Sequence, residues 1–365
     1  MNSKSFLRLT RRYSKLRLAV IGDFYLDRYL EIDPSKAETS IETGLPVRNV
    51  IKVRSQAGAA GTVLNNLAAL GVGTIFPVGF CGLDGEGYEL QHALAALPGV
   101  ELDHLLATPL RRTFCYCKPL VLEPGKPPRE LERLDSKNWT PTPSLVVQSL
   151  LKSLAALRGK LDAVIVMDQV SEPQTGTVTA QVREALTTFL PGTLVIADSR
   201  LGLAEYPPVV FKMNAAELGL LTGLGQAPGL AQIQQAACKL AQRNGQPVII
   251  TMAERGIMGA KPDGSIEQVP ALPLRGPIDI VGAGDAVTAN TTAALAAGAT
   301  LEEAIELAAV GSSIVIHQLG TTGTASVAQL RELLFPRRTA AMAWAQRNPT
   351  EGRSKKRRNE ALCIN

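Results

Sequence analysis

The residues best equipped for chemistry stand together in Asp279-Ile280-Val281-Gly282-Ala283-Gly284-Asp285-Ala286. The glycines on either side of Ala283 let the backbone turn tightly. The N–H groups of Ala283, Gly284 and Asp285 then converge at the start of a helix, whose dipole reinforces an anion site. Asp285 sets a carboxylate in that same first turn. A negative side chain repels a bound anion unless it has a task, such as taking the proton of an attacking hydroxyl. An anion hole with a base beside it is a phosphoryl-transfer arrangement. The same letters also serve a plain turn whose Asp285 caps a helix, so the reading depends on the rest of the chain.

Other polar residues fall where a sheet would gather them. Leu16 to Ile21 reads as a buried strand that delivers Gly22-Asp23, with Asp27 four residues on. A carboxylate there can accept two hydrogen bonds from a diol, or be an exposed turn acid. Gln56-Ala57-Gly58-Ala59-Ala60-Gly61-Thr62 opens a helix with small residues that admit a ligand close to the backbone, or a neighbouring helix. A strand from Val209 to Met213 carries Lys212 and delivers Asn214-Ala215-Ala216-Glu217. Glu217 suits a hard dication shared with phosphates, and fits equally well as the N3 acid of a capping box with Asn214. His317 closes a late helix, where a dipole partner is the plain alternative.

Together these stretches resemble the ribokinase-like (PfkB) carbohydrate kinases from about Leu18 to about Phe335. Asp279 to Asp285 is similar to the family's DxxGAGD signature, and Asn214 to Glu217 to its N-x-x-E element. The runs Gly22 to Tyr29, Arg133-Leu134-Asp135 and His317 to Thr321 look most like bacterial heptose-7-phosphate kinases. The resemblance implies ATP and Mg²⁺, with Glu217 helping to hold the metal and Asp285 as base beside an anion hole of Gly282, Ala283 and Gly284. It places the sugar against Asp23, Asp27, Gly58, Ala59 and Thr62. Charge and resemblance together make Lys212 and Arg133 phosphate binders, Arg133 on the substrate side. Asn214, Thr251, Glu254 and Gly256 would lie along the nucleotide, with His317 at its adenine end. The sequence departs from the family pattern at Ala59, where a glycine is usual, at Thr62, where an asparagine is usual, and at Gln169, where the heptose type is often aromatic. These departures leave the sugar open, together with a ligand-binding pseudokinase of the same fold. A dinucleotide-dependent oxidoreductase is disfavoured, since no G-x-G-x-x-G follows Ile21.

The elements that must position these residues alternate along the chain. Strand-like runs at Ile75–Val78, Ala163–Met167, Leu194–Ala197 and Val248–Thr251 are separated by helical stretches at Glu86–Leu97, Pro143–Leu157 and Val178–Leu190. That rhythm predicts an α/β fold with a mainly parallel sheet between helix layers, its strand-end acids collected on one edge. An apolar, strand-like run leads into Asp279. Short β segments at Tyr29–Ile32, Leu45–Val53, Thr113–Leu122 and Glu130–Leu134 predict a separate small sheet. The resemblance makes it a lid, from about 28–54 and 111–136, that often pairs into homodimers.

Composition sets the remaining bounds. The 365 residues include five cysteines, with no C-x-x-C pair; Cys115 and Cys117 read as packed thiols on one strand face rather than zinc ligands. The net charge of +5 comes from the ends. Residues 1–17 hold six Lys or Arg and no acid, and residues 336–365 hold eight against two acids, which leaves −7 for the body. An acidic body does not suit nucleic acid. The reading is therefore a basic extension (1–17), a kinase-like domain (18–335) and a basic, disordered tail (336–365). The tail has too few residues for the nucleotidyltransferase domain that some heptose kinases carry. No run is long and apolar enough to span a membrane, and cytoplasm is the expected compartment.

Overall fold

A computed structural model describes residues 1–190 and 192–336. The expected tail lies outside the described residues, except for Pro336. The chain enters through α1 (Ser3–Tyr13) and β1 (Arg17–Gly22). It crosses at once into the smaller sheet with β2 (Phe24–Ile32), a short hairpin of β3 (Glu38–Thr39) and β4 (Pro46–Val47), and β5 (Val50–Ala59). It returns through α2 (Ala60–Ala69), β6 (Thr74–Gly82), α3 (Gly85–Ala95) and β7 (Leu105–Thr108). A second excursion adds β8 (Phe114–Val121), β9 (Arg129–Glu130) and β10 (Leu134–Ser136). Then come α4 (Ser144–Leu157), β11 (Ala163–Asp168), α5 (Ala180–Ala185), β12 (Leu194–Ser199) and β13 (Val210–Asn214). They are followed by α6 (Ala215–Thr222), α7 (Leu230–Asn244), β14 (Val248–Thr251), β15 (Ile257–Ala260) and β16 (Ile266–Val269). Helices α8 (Ala283–Ala296), α9 (Leu301–Val315) and α10 (Val327–Leu334) close the described chain.

The main sheet runs β16-β15-β14-β13-β12-β11-β1-β6-β7, parallel from β7 to β14, with an antiparallel edge at β15 and β16. Side-chain alternation builds the three layers. Leu18 and Val20 of β1 join Ile165 and Met167 of β11 under α1, α2, α8, α9 and α10, whereas Ala19, Ile21, Val164 and Val166 face α4, α5 and α7. The architecture is a three-layer αβα sandwich with a mainly parallel sheet and a smaller β-sheet set apart as a lid, the arrangement that the resemblance implies. In the lid, β10-β8-β2-β5 lie side by side, and β2 leaves the main sheet one residue after β1 ends.

Three expectations need correction. Residues 1–17 are not an appendage: Phe6, Leu9 and Tyr13 of α1 recur at helical spacing and are at most 1% exposed in the core. Their basic neighbours are engaged as well, since Arg8 donates to the Gly298 carbonyl at 3.2 Å and pairs with Glu303 at 3.1 Å. The run before Asp279 is no strand. Residues 270–280 form an irregular strap with Ile278 and Ile280 exposed, so its apolar letters do not mark a sheet. The stretch read as one helix to Leu190 tightens into a 3₁₀ turn at Leu186–Phe189. No helix among the described residues is long and apolar enough to cross a membrane.

Candidate active site

The carboxyl ends of β1, β11, β12 and β13 deliver Asp23, Asp168, Asp198 and Asn214 to one edge, and the first turn of α8 closes over it. Gly282 caps α8 at φ +80°, and a Cβ there would lie 2.6 Å from the Thr322 methyl carbon, so both the conformation and the space call for glycine. The Ala283 N–H is already donated to the Ile280 carbonyl at 3.2 Å. This removes one of the three expected anion donors. The N–H groups of Gly284 and Asp285 have no acceptor among the described residues and remain for a ligand.

Lys212 lies buried beneath this turn. Its Nζ donates to Asp198 Oδ2 at 2.6 Å, and a Cβ on Gly284 would come within 3.1 Å of it, so Gly284 admits the ammonium close to the helix start. Burial works against the Lys212 charge, but Asp198, then Asp285 and Glu217, pull its pKa above the usual lysine value. Asp285 is half-buried. Desolvation pushes its pKa up to about 7; Lys212 opposes that rise and Asp198 adds to it. A carboxyl poised near neutrality beside two free N–H donors and an ammonium can take a proton while an anion sits next to it. The sequence places Asp198 among the strand-end acids of this edge, but its pairing with Lys212 has no local signal.

Asn214 and Glu217 form the capping box that the sequence also allowed. Glu217 Oε2 accepts from the Asn214 N–H at 2.7 Å and Asn214 Oδ1 from the Glu217 N–H at 2.9 Å. Burial raises the Glu217 pKa, with the Asn214 N–H opposing. No cluster of three metal-ligating side chains occurs among the described residues. Glu217 and Asp198 are carboxylates, the oxygen donors that a hard dication takes, and each has one oxygen already engaged, by the Asn214 N–H and by Lys212.

On the lid side, Asp27 is almost fully buried and its Oδ1 pairs with Lys118 Nζ at 3.2 Å. Burial raises its pKa, with Lys118 the main opposing influence. Gly58 makes room for that carboxylate, since a Cβ would meet Asp27 Oδ2 at 2.7 Å. Lys118 gave no sequence signal, because nothing local says which strand faces Asp27. Arg133 forms a bidentate pair with Asp135 at 2.6 and 2.9 Å and stacks 4.1 Å from the Tyr116 ring centre, leaving it held rather than free. Arg200, passed over in the sequence, reaches Tyr116 Oη at 3.4 Å, and its charge opposes the Asp285 rise.

The other expected ligand residues lie as follows, several of them held by the protein itself. Asp23 is wholly buried: its Oδ2 accepts from the Gln169 N–H at 2.9 Å and its Oδ1 from the Thr177 N–H at 2.6 Å, so both oxygens fasten the 169–177 loop. Desolvation, with Asp168 next, raises its pKa to about 7. Thr62 is buried, its methyl against the Gly282 turn. Thr251 ends β14 opposite Asn214, and Glu254 is exposed on the following turn. Gly256, at φ +86°, lies where a Cβ would run into the Val269 carbonyl. His317 accepts the Arg275 N–H on Nε2 at 2.9 Å and reaches the Ser313 carbonyl with Nδ1 at 2.6 Å, which fixes the Nδ1–H tautomer and pins the 270–280 strap.

Ala59 holds φ +53° and ψ −117°, a region that suits only glycine, at the step from β5 into α2. Ala59→Gly is therefore expected to stabilise the fold by about 1 kcal/mol, as relief of strain exceeds the added chain entropy. Equilibrium denaturation reads this out, and an unchanged or lower midpoint would show that no strain is stored there.

Residues 17–328 match the pfkB family carbohydrate kinase family. The Bifunctional protein HldE of Bradyrhizobium sp. (strain ORS 278) is 30% identical over 335 residues, 90% of this chain. That of Gluconacetobacter diazotrophicus is 29% identical over 321 residues, 87% of this chain. The chain spans 65% and 63% of those two relatives' lengths. Among solved structures, Arabidopsis thaliana ribokinase complexed with ribose and ATP superposes with a TM-score of 0.64 at 20% identity, covering 88% of this chain and 99% of that one. Phosphofructokinase-2 from Escherichia coli in complex with potassium gives 0.67 at 16%, covering 87% and 97%. The structural likeness carries the fold, and the family match takes in the glycine turn, Asp285 and the strand edge beneath them: the chain belongs to the pfkB family of carbohydrate kinases.

Proposed function

We propose that this protein transfers the terminal phosphoryl group of ATP to a hydroxyl of a sugar or sugar phosphate, with O1 of heptose 7-phosphate as the leading acceptor. One observation carries the reading: Asp285, poised near neutrality, adjoins the free N–H groups of Gly284 and Asp285 above a buried Lys212. Asp27 holds the acceptor sugar, displacing Lys118 from one carboxylate oxygen. Asp285 removes the proton from the attacking hydroxyl as its oxygen bonds to phosphorus and the bond to the leaving diphosphate breaks. The two N–H groups and the Lys212 ammonium stabilise the charge on the transferred group. A bound Mg²⁺ supplies further neutralisation of phosphate charge, with Glu217 and Asp198 as the residues that would hold its waters. The exposed Val50, Ile51 and Val53 of edge strand β5 favour pairing of two lids in a homodimer, which sedimentation at two concentrations would test.

ADP release from MgATP, measured against a sugar panel that includes heptose 7-phosphate, tests the reaction. Turnover is expected to rise with pH through about 7 and then level off, because Asp285 works only once deprotonated. One observation favours a non-catalytic ligand-binding relative: Glu217 and Asp27 are both engaged by the protein itself. Nucleotide binding without turnover of any sugar would select that alternative.

A further inference from the structure

Gln56 has no part in the chemistry above, yet it joins the two halves of the site. It lies on β5 directly opposite Asp27 in the lid register. Its carboxamide bridges the lid and the body: Nε2 donates to Thr322 Oγ1 at 2.8 Å and lies 3.5 Å from Tyr29 Oη of β2, and Oε1 accepts from Thr321 Oγ1 at 3.2 Å. The methyl group of that same Thr322 fills the space that a Cβ on Gly282 would occupy. The loop carrying both threonines is closed on itself by Gln318, which accepts from the Thr324 N–H at 3.2 Å and donates to the Thr324 carbonyl at 2.7 Å. Gln56 is thus connected to the glycine turn through one residue, Thr322.

We infer that Gln56 is a positioning residue, tying the acceptor-holding acid Asp27 to the phosphate-binding turn at Gly282. The inference rests on the phosphoryl-transfer reading. Its physical basis is that the acceptor hydroxyl, held by the lid, must meet a donor held by the body. An error of about 1 Å in such an alignment costs on the order of 10²-fold in rate. The side chain that sets the distance contributes to kcat without touching either reactant.

The test compares Gln56→Met, which keeps length and bulk but removes every carboxamide hydrogen bond, with Thr322→Val, which keeps the methyl beside Gly282 and removes only the hydroxyl. Calorimetry with the magnesium complex of AMP-PNP measures nucleotide affinity, and hydrogen exchange maps where it slows the backbone. In the wild type, the nucleotide analogue is expected to slow exchange both at the 282–285 turn and along β5. Both variants should bind it with unchanged affinity and protect the turn but not β5, while kcat falls ~10-fold at constant KM for ATP. The double variant should be no worse than the worse single. Survival of β5 protection in both variants overturns the inference. Failure of the wild type to bind the analogue removes the phosphoryl-transfer reading first and the inference with it, so the two failures are told apart.

Discussion

Asp285→Asn should lower kcat by at least ~10²-fold, leave nucleotide affinity nearly unchanged, and raise the melting temperature at alkaline pH. The rate loss follows because an amide of the same shape cannot accept the hydroxyl proton, whereas the Gly284 and Asp285 N–H groups and Lys212 remain in place for the phosphates. The stability gain follows from linkage. Burial raises the folded pKa to about 7, so between roughly pH 4 and 7 the native state holds a proton that the unfolded chain releases. Stability therefore falls as pH rises across that window, and the full cost is present above it. Asparagine carries no such cost, so its advantage in melting temperature should be larger at about pH 8 than at about pH 5. Steady-state kinetics and melts at the two pH values measure both halves. A variant that turns over normally, or one with no pH-dependent gain, would remove Asp285 from the role of desolvated base.

Why that residue was visible in the sequence, and its partners were not, follows from the range of the interactions. The glycine turn is local: Gly282, Gly284 and Asp285 lie within four residues, and their spacing already implies a tight entry to a helix. The alternation of strands and helices is local too, so the parallel sheet between helix layers and a separate small sheet could be read from periodicity, while that small sheet's place as a lid came from the resemblance. Pairings between distant segments could not. Asp198 and Lys212 meet because β12 and β13 are neighbours in the sheet, and Lys118 meets Asp27 only through the register of β8 on β2. The burial of α1 was masked by Arg8, Arg11 and Arg12, which dominate its charge and hide the Phe6, Leu9, Tyr13 stripe. Asp23 looked like a ligand because strand-end acids gather at such an edge, and only the Gln169 and Thr177 amides show that it is already used. Ala59 is the opposite case. Its departure from the expected glycine was evident from the sequence, and the structure adds that the backbone keeps the glycine conformation regardless.

Lys212→Met should damage both stability and rate, by separate routes. The ammonium is buried and sits 2.6 Å from Asp198 Oδ2, so its removal leaves a carboxylate without its counter-charge in a crevice that Asp285 already shares. Breaking a buried pair from one side costs about 3–5 kcal/mol, far more than the net worth of the pair, because the stranded charge stays desolvated. Removing both partners leaves no stranded charge. Lys212→Met with Asp198→Asn is therefore expected to recover most of the lost stability. It should not recover the rate, since the ammonium that stabilises charge on the transferred group is still missing. In Lys212→Met alone, where Asp198 keeps its charge, the loss of Lys212's opposition to the Asp285 rise also moves the proton-accepting limb to higher pH. Thermal melts of the single and double variants, together with their pH–rate profiles, separate these effects. If the double variant stayed as unstable as Lys212→Met, stranded charge could not be the cause. If the Lys212→Met profile kept its wild-type midpoint, the ammonium would not be tuning the base, and its place beneath Gly284 would be a matter of packing alone.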